Sequence, residues 1–170
     1  MSVNQSADEM HNEILASLNG KGTTDYETYL NTKTLLSAQS DYSQFCNEDE
    51  LQFQVVHQSE ELLFKLLNYT LLEVNKRILE TNTCRVLAYL TRAHKVQKNL
   101  IGVLELLHTM SPRTYQDIRL KLGNGSGQES PGFQAFLKIA PMLWPSFKKS
   151  YLANNSENIE KIYASNFSHD

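Results

Sequence analysis

Apolar residues recur at intervals of three and four along most of the chain, which is the spacing of one face of an α-helix. The longest such stretch is predicted to begin at the N-cap Asn47 and to run to about Glu80. Thr81-Asn-Thr83 interrupts it, and a second long helix is predicted over residues 84–110. No stretch alternates between apolar and polar residues as a strand does. The pattern therefore predicts an all-α protein, folded as a helical bundle.

Shorter helices are predicted on either side of this pair. One covers residues 25–39, with Thr23 or Thr24 as its N-cap. Another begins at Ser111-Pro112, where a cap is followed by a proline suited to the first helical position, and ends at Leu122. After a glycine-rich loop, and with Pro141 and Pro145 as breaks, the predicted short helices are 133–140, 142–152 and 156–164.

The length and the N-terminus of the chain bear on its domain organisation. A chain of 170 residues is expected to form one core, so residues 1–170 are predicted to be a single helical domain. Residues 1–22 are predicted to be a flexible N-terminal segment. They begin with polar and acidic residues, which is not the pattern of a signal peptide.

Charge and cysteine content narrow the class of protein. A net charge of −3 and a pI near 6.0 predict no nucleic acid and no membrane surface as partner. No apolar run approaches the roughly 20 residues of a membrane span. Cys46 and Cys84 do not form a C-x-x-C pair and are compatible with a reducing compartment. The expected location is therefore cytoplasmic.

Two pairs of residues carry candidate chemistry within the helical pattern. Phe53 and His57 are four positions apart, as are Tyr115 and Arg119, so each pair would share one face of a helix. Together they would offer stacking surface, a group that handles protons and a bidentate clamp for a carboxylate. If the two helices face each other, such a set suits an aromatic carboxylic acid.

The same residues stand in a longer pattern that resembles the tryptophan 2,3-dioxygenase family over about residues 24–130. The matching motifs are Tyr26-Glu-Thr-Tyr29-Leu30, Leu35-Leu36-Ser-Ala-Gln39, Asp49-Glu-Leu-Gln-Phe53-Gln-Val-Val-His57-Gln58, Glu61-Leu62, Lys65, Met110-Ser-Pro112, Tyr115, Arg119, Leu122 and the loop from Gly123. The resemblance implies a helical fold, a tetrameric assembly and oxidative opening of the indole ring of tryptophan.

The resemblance also implies roles for individual residues. His57 would be the catalytic residue beside the indole, on the distal side of a heme, and Arg119 would grip the substrate carboxylate. The neighbouring subunit would lend Tyr26 and Tyr29, which makes a homo-oligomer, dimer or tetramer, the expected state. The remaining implied substrate-binding residues are Phe53, Tyr115, Ser126 and Gly127.

Two features of the chain depart from the family pattern. The proximal histidine that holds the heme lies past the matched region in the family, and after Pro131 this chain offers only His169. Heme is thus the suspected cofactor, without a proximal ligand that can be identified in this chain. The loop reads Ser126-Gly-Gln-Glu-Ser-Pro131, where the family usually continues Ser-Gly-Phe-Gln-Ser.

Other interpretations of these residues stay open. The protein could be a cofactor-free enzyme of specialised metabolism, with His57 as general base on a substrate derived from an aromatic amino acid. It could also be a non-catalytic binding or partner subunit. His57 could be a plain core histidine, and Arg119 a surface charge. A di-iron site would need two E-x-x-H motifs, and only the one ending at His108 is present.

Overall fold

The computed structural model describes residues 3–153, with side chains from residue 9 onward. Helices account for most of these residues and no strand occurs among them, so the all-α prediction is confirmed. The chain divides into two compact units, Met1–Val55 and a second that begins at Val56. A single helical domain over residues 1–170 stays a prediction.

The first unit holds three short helices and the start of a long one. Its helices are α1 (Val3–Ser17), α2 (Asp25–Leu30) and α3 (Thr32–Leu36), followed by a 3-10 turn at Tyr42–Gln44. The sequence predicted one helix over residues 25–39, but Asn31 adopts φ 52° and ψ 42°. This left-handed conformation ends α2 and starts α3, because asparagine tolerates it better than most residues. Helix α1 lies within residues 1–22, whose flexibility stays a prediction.

The second unit contains most of α4 (Glu50–Leu79) together with α5 (Thr83–Glu105), α6 (Pro112–Leu122) and α7 (Pro131–Phe147). The predicted break between α4 and α5 is present, and Asn82 caps α5 by accepting a hydrogen bond from the backbone N–H of Arg85. The α-helical part of α5 ends at Glu105. It continues as a 3-10 turn, Leu106–Thr109, whose C-cap is Met110, the last residue of the predicted helix.

Helices α4 and α5 form the core of the second unit. One buried cluster consists of Leu67, Leu71, Ala93, Val96 and Leu100, and the partly buried residues Phe136, Ile139 and Leu143 of α7 pack against it. A second cluster consists of Val74, Ile78 and Val86, near the turn between the two helices. The three α7 residues are spaced by three and four positions, so α7 presents one continuous apolar face to the core.

Helix α7 corrects a prediction made from its prolines. The sequence predicted separate helices over 133–140 and 142–152, yet Pro141 and Pro145 both lie inside one helix that runs on into a π-helical segment, Lys148–Leu152. The packing of Ile139 and Leu143 on either side of Pro141 explains the difference, because tertiary contacts can outweigh the intrinsic cost of a proline. The predicted helix 156–164 lies outside the described residues.

Candidate binding site around Arg119

Arg119 lies in the last turn of α6 and fastens the loop that follows. Ser111 caps the start of α6, where Pro112 occupies the first turn, and Gly123 ends the helix with φ 65° and ψ −124°, a conformation that favours glycine. Nη1 of Arg119 donates to the carbonyl oxygens of Gly123 and Gly125, each at 2.9 Å. The guanidinium therefore bonds to the carbonyl of the helix C-cap residue and to a carbonyl of the following loop.

The other edge of the same guanidinium bonds to no group among the described residues. Among the described residues, the side chain of Arg119 makes hydrogen bonds only through Nη1, and it forms no ion pair. Nε–H and one Nη2–H lie parallel on the opposite edge and match the two oxygens of a carboxylate. Tyr115, one turn earlier on α6, is 43% exposed. The end of α6 thus combines an aromatic ring with a bidentate donor already held in place.

Ser126 and Gly127 begin a 3-10 turn that leads into α7. The hydroxyl of Ser126 accepts a hydrogen bond from the backbone N–H of Gln128 at 3.3 Å, and its own N–H donates to Oε2 of Glu129 at 3.0 Å. This reciprocal pair is a capping box. Ser130 then caps α7 by accepting from Phe133 N–H at 3.0 Å. The residues that depart from the family pattern therefore close the loop onto the start of the next helix.

His57 is half-buried on α4, with Glu60 one turn further along the helix. Burial raises the pKa of the Glu60 carboxyl, the positive charge of His57 opposes that rise, and Glu61 adds to it. A partly desolvated carboxylate therefore lies within electrostatic reach of the candidate catalytic imidazole. The sequence placed Glu60 and Glu61 after His57 but did not indicate which of the two carboxylates interacts with it.

A contact that the sequence did not predict joins α4 to the start of α7. Oε2 of Glu61 accepts a hydrogen bond from Gly132 N–H at 3.1 Å, and Nδ2 of Asn68 donates to the Gly132 carbonyl at 2.8 Å. A Cβ atom at Gly132 would lie 2.5 Å from Cβ of Phe64, so only glycine fits here. The glycine after Pro131 was the available signal, because glycine early in a helix often marks a close backbone approach.

The remaining candidates lie in the first unit. Tyr26 and Tyr29 of α2 are 70% and 89% exposed, and Phe53 is half-buried on α4. The implied site is thus divided, with these three residues in the first unit and His57, Tyr115, Arg119 and the loop in the second. The structure directly joins Arg119 to the loop through hydrogen bonds.

An apolar groove of about 540 Å³ lies elsewhere in the second unit, where α7 covers the end of α4. Tyr151 and Thr83 contribute the hydroxyls at this groove, and those hydroxyls are 2.9 Å apart in a hydrogen bond. Its lining residues are Val74, Ile78, Thr83, Val86, Leu87, Leu90, Ala140, Leu143, Trp144, Phe147 and Tyr151.

The fold is all-helical and carries a candidate carboxylate-binding site, and comparison with known sequences identifies the family. The sequence model of tryptophan 2,3-dioxygenase matches residues 6–139. This chain belongs to the tryptophan 2,3-dioxygenase family. No solved structure matches it.

Several bacterial tryptophan 2,3-dioxygenases are similar to this chain. The protein of Rhodococcus jostii (strain RHA1) is 36% identical over 110 residues, 65% of this chain and 39% of the relative. That of Arthrobacter sp. (strain FB24) is 30% identical over 135 residues, 79% of this chain and 47% of the relative. That of Bradyrhizobium sp. (strain ORS 278) is 35% identical over 121 residues, 71% of this chain and 41% of the relative. The chain therefore spans less than half the length of these relatives.

The family implies heme, and the described residues can be tested for a place to hold it. Heme iron takes an axial His, Cys, Met or Tyr ligand. Among the described residues that line the apolar groove, Tyr151 is the one such residue, and its hydroxyl is engaged with Thr83. The groove therefore does not fit heme, and its iron would need a ligand from outside the groove. His169 lies outside the described residues.

Metal-ligand clusters and membrane-spanning helices are both absent from the described part of the chain. Across residues 9–153, no three His, Cys, Asp or Glu side chains cluster as metal ligands would, and Glu105 and His108 belong to no such group there. No helix in the described part of the chain is long and apolar enough to span a membrane. The cytoplasmic location stays a prediction.

Proposed function

We propose that this chain binds tryptophan or a related indole or aromatic amino acid, as part of a tryptophan 2,3-dioxygenase-like enzyme that carries out heme-dependent oxidation. Family membership and the available edge of Arg119 support the proposal. The relatives are named for this enzyme as whole proteins, and this chain covers less than half of their length.

Arg119 is the residue on which the proposal depends most. Its Nη1 is held by Gly123 and Gly125, so the guanidinium is oriented before any ligand arrives. Pre-orientation reduces the conformational entropy that binding would otherwise cost. The Nε and Nη2 edge would then bind the substrate carboxylate with two parallel, charge-assisted hydrogen bonds. Tyr115 on the same helix would contact the aromatic ring.

His57 and Phe53 complete the proposed contacts. His57 would accept a hydrogen bond from the indole nitrogen or move a proton there, and Phe53 would stack against the ring. Heme supplies the oxygen chemistry when it is bound. The work assigned to this chain's residues is to bind and orient the amino acid, which by itself can account for a large part of an enzymatic rate.

The exposed tyrosines bear on assembly. We propose that Tyr26 and Tyr29 contribute to the pocket of a neighbouring copy, which requires a homo-oligomer, either a dimer or a tetramer. Exposure of 70% and 89% for two tyrosines on one short helix supports this role, since aromatic side chains are enriched at interfaces. A fully active monomer at micromolar concentration contradicts it.

Calorimetric titration with L-tryptophan tests the proposal. Arg119→Ala is expected to weaken binding by about 2–4 kcal/mol, because the carboxylate loses a desolvated bidentate partner. Arg119→Lys restores only part, since an ammonium group is a point charge. Arg113→Ala is the matched control, because Arg113 is exposed in the first turn of the same helix.

Indole separates the clamp from a merely structural role of Arg119. Indole lacks the carboxylate, so its affinity should be similar in the wild type and in Arg119→Ala. An equal loss for indole and L-tryptophan would mean that Arg119 acts only by holding the loop. Unchanged L-tryptophan affinity in both Arg119 variants would exclude the carboxylate role.

A second candidate is a cofactor-free enzyme in which His57 is the general base. The partly buried Glu60 carboxylate, which interacts electrostatically with His57, favours it, because a general-base histidine is commonly oriented by a neighbouring carboxylate. An absorption spectrum of the purified protein distinguishes the two candidates. A Soret band supports the first, and turnover by a colourless preparation supports the second.

A further inference from the structure

The carboxylate of Glu27 binds the loop that precedes α2 through five hydrogen bonds. Oε1 accepts from the backbone N–H groups of Lys21 at 2.8 Å and of Gly22 at 3.1 Å. Oε2 accepts from the backbone N–H groups of Thr23 at 3.0 Å and Thr24 at 3.1 Å, and from the Thr24 hydroxyl at 3.1 Å. Four consecutive amides thus converge on one side chain.

This convergence requires an unusual loop conformation. Gly20 and Gly22 have φ values of 69° and 70°, which favour glycine. A Cβ atom at Gly20 would lie 3.1 Å from Oε1 of Glu27, so the loop follows the carboxylate closely. The N–H groups of Gly22, Lys21, Thr24 and Thr23, in that order of effect, lower the pKa of Glu27 to about 2. The carboxylate is therefore charged at any physiological pH.

Helix α2 is short and exposed, and the Glu27 cluster fixes its first turn to the preceding loop. It has six residues, buries none of them, and ends at the left-handed Asn31. A helix of this length is unstable alone in water, since nucleation is unfavourable. Glu27 lies between Tyr26 and Tyr29, so the element it fastens is the one that exposes both tyrosines.

We propose that Glu27 is a positioning residue, which fixes α2 against the 20–24 loop so that Tyr26 and Tyr29 are held ready for the neighbouring copy's pocket. This inference rests on the proposed function, in which those tyrosines contribute to binding. Glu27 itself touches no substrate. Its effect on affinity arises because a fixed α2 loses less conformational entropy on binding than a frayed one.

Amide hydrogen exchange and L-tryptophan titration on the full chain test the inference together. Glu27→Gln retains the shape of the side chain but loses its charge and one acceptor oxygen. We expect exchange at residues 21–24 to accelerate about tenfold or more, since charge-assisted hydrogen bonds are lost. We expect L-tryptophan affinity to fall about tenfold, with the global unfolding midpoint little changed. Asp25→Asn is the control, because Asp25 is an exposed acid of the same helical turn outside the Glu27 cluster.

Tyr26→Ala and Tyr29→Ala separate this inference from the proposed function. Loss of affinity in the tyrosine variants and in Glu27→Gln, but not in Asp25→Asn, supports the positioning role. Loss in the tyrosine variants alone overturns that role and leaves the shared pocket in place. Unchanged exchange at residues 21–24 in Glu27→Gln also overturns it. Unchanged affinity in the tyrosine variants overturns both, as does a wild type that binds no L-tryptophan.

Discussion

The two ends of α4 within the second unit differ sharply in what surrounds them. At one end, His57, Glu60 and Glu61 place charged groups in half-buried positions, and Glu61 bonds to the backbone of Gly132. Val74 and Ile78 lie about 25–30 Å further along, at 1.5 Å per residue. They are 0% and 4% exposed, in an entirely apolar cluster.

Three aromatic side chains near the apolar end of α4 stack on one another. Trp144 stacks on Phe147 with ring centroids 6.0 Å apart, and Phe147 stacks on Tyr151 at 5.2 Å. All three lie beyond the family match, which ends at residue 139, whereas His57 and Arg119 lie inside it. Burial of Val74, Ile78 and Val86 at this end supplies stability. At the His57 end, burial raises the pKa of Glu60, and carboxyl groups with perturbed pKa values are common at functional sites.

The largest effect is expected at the apolar end. Ile78→Ala should lower the free energy of unfolding by about 2–5 kcal/mol, because it leaves a cavity where the side chain was buried. Leu79→Ala, next to it and 51% exposed, is the control and should cost less than about 1 kcal/mol. Chemical denaturation measures both. Equal costs for the two variants would mean that this end of α4 is not a packed core.

A smaller effect is expected where α7 approaches the polar end. Gly132→Ala should destabilise by about 1–3 kcal/mol, because the new methyl group would overlap Cβ of Phe64, an atom that cannot move without the backbone. Gly102→Ala is the control, since it lies inside α5 with nothing within 4 Å of the added atom. It should stabilise by about 0.4–1 kcal/mol. If Gly132→Ala costs no stability, α7 does not approach Phe64 as closely as the structure shows, and the contrast between the two ends of α4 is weaker.

The features at the two ends of α4 could not be predicted equally well from the sequence. Apolar spacing predicted α4, and capping and breaking residues predicted its end at Thr81-Asn-Thr83 and the cap at Ser111, because these depend on local backbone and side-chain preferences. The sequence also resembled the family through ordered motifs, and the comparison confirmed that family. The sequence could not show that α7 passes through Pro141, because that depends on contacts with distant residues.

Side-chain partners were the hardest features to predict for the candidate site. The sequence predicted that Arg119 grips a substrate carboxylate or is a surface charge, and it did not indicate that Nη1 also bonds to two loop carbonyls. No pattern specifies such a contact, because backbone carbonyls are present at every residue. Likewise, Glu60 and Glu61 are adjacent and chemically identical, yet one lies near His57 and the other bonds to Gly132. The roles of the implied pocket residues stay predictions.

The smallest expected effect is a pH dependence of stability at the His57 end of α4. Burial raises the pKa of Glu60 above 4.5, so the folded state holds this proton more tightly than the unfolded state. The contribution of Glu60 to the free energy of unfolding is therefore greatest below pH 4.5. It decreases as pH rises, and the full destabilisation by the charged carboxylate is reached above the raised pKa. Glu60→Gln removes that charge and should stabilise at pH 7 by less than about 1 kcal/mol, because solvent screens a half-buried group.

The gain from Glu60→Gln should vanish below pH 4, where the carboxyl is protonated in both states. The exposed Glu105 gives the control variant Glu105→Gln, which should show neither the gain nor its pH dependence. In a His57→Ala background the gain should grow, because His57 is the group that favours the charged carboxylate. Denaturation at pH 4 and pH 7 measures the wild type, the three single variants and the double variant. If Glu60→Gln does not stabilise at pH 7, or if the gain is the same without His57, this end of α4 is as well solvated as an exposed helix face. The contrast with the apolar end would then not support a functional site at the His57 end.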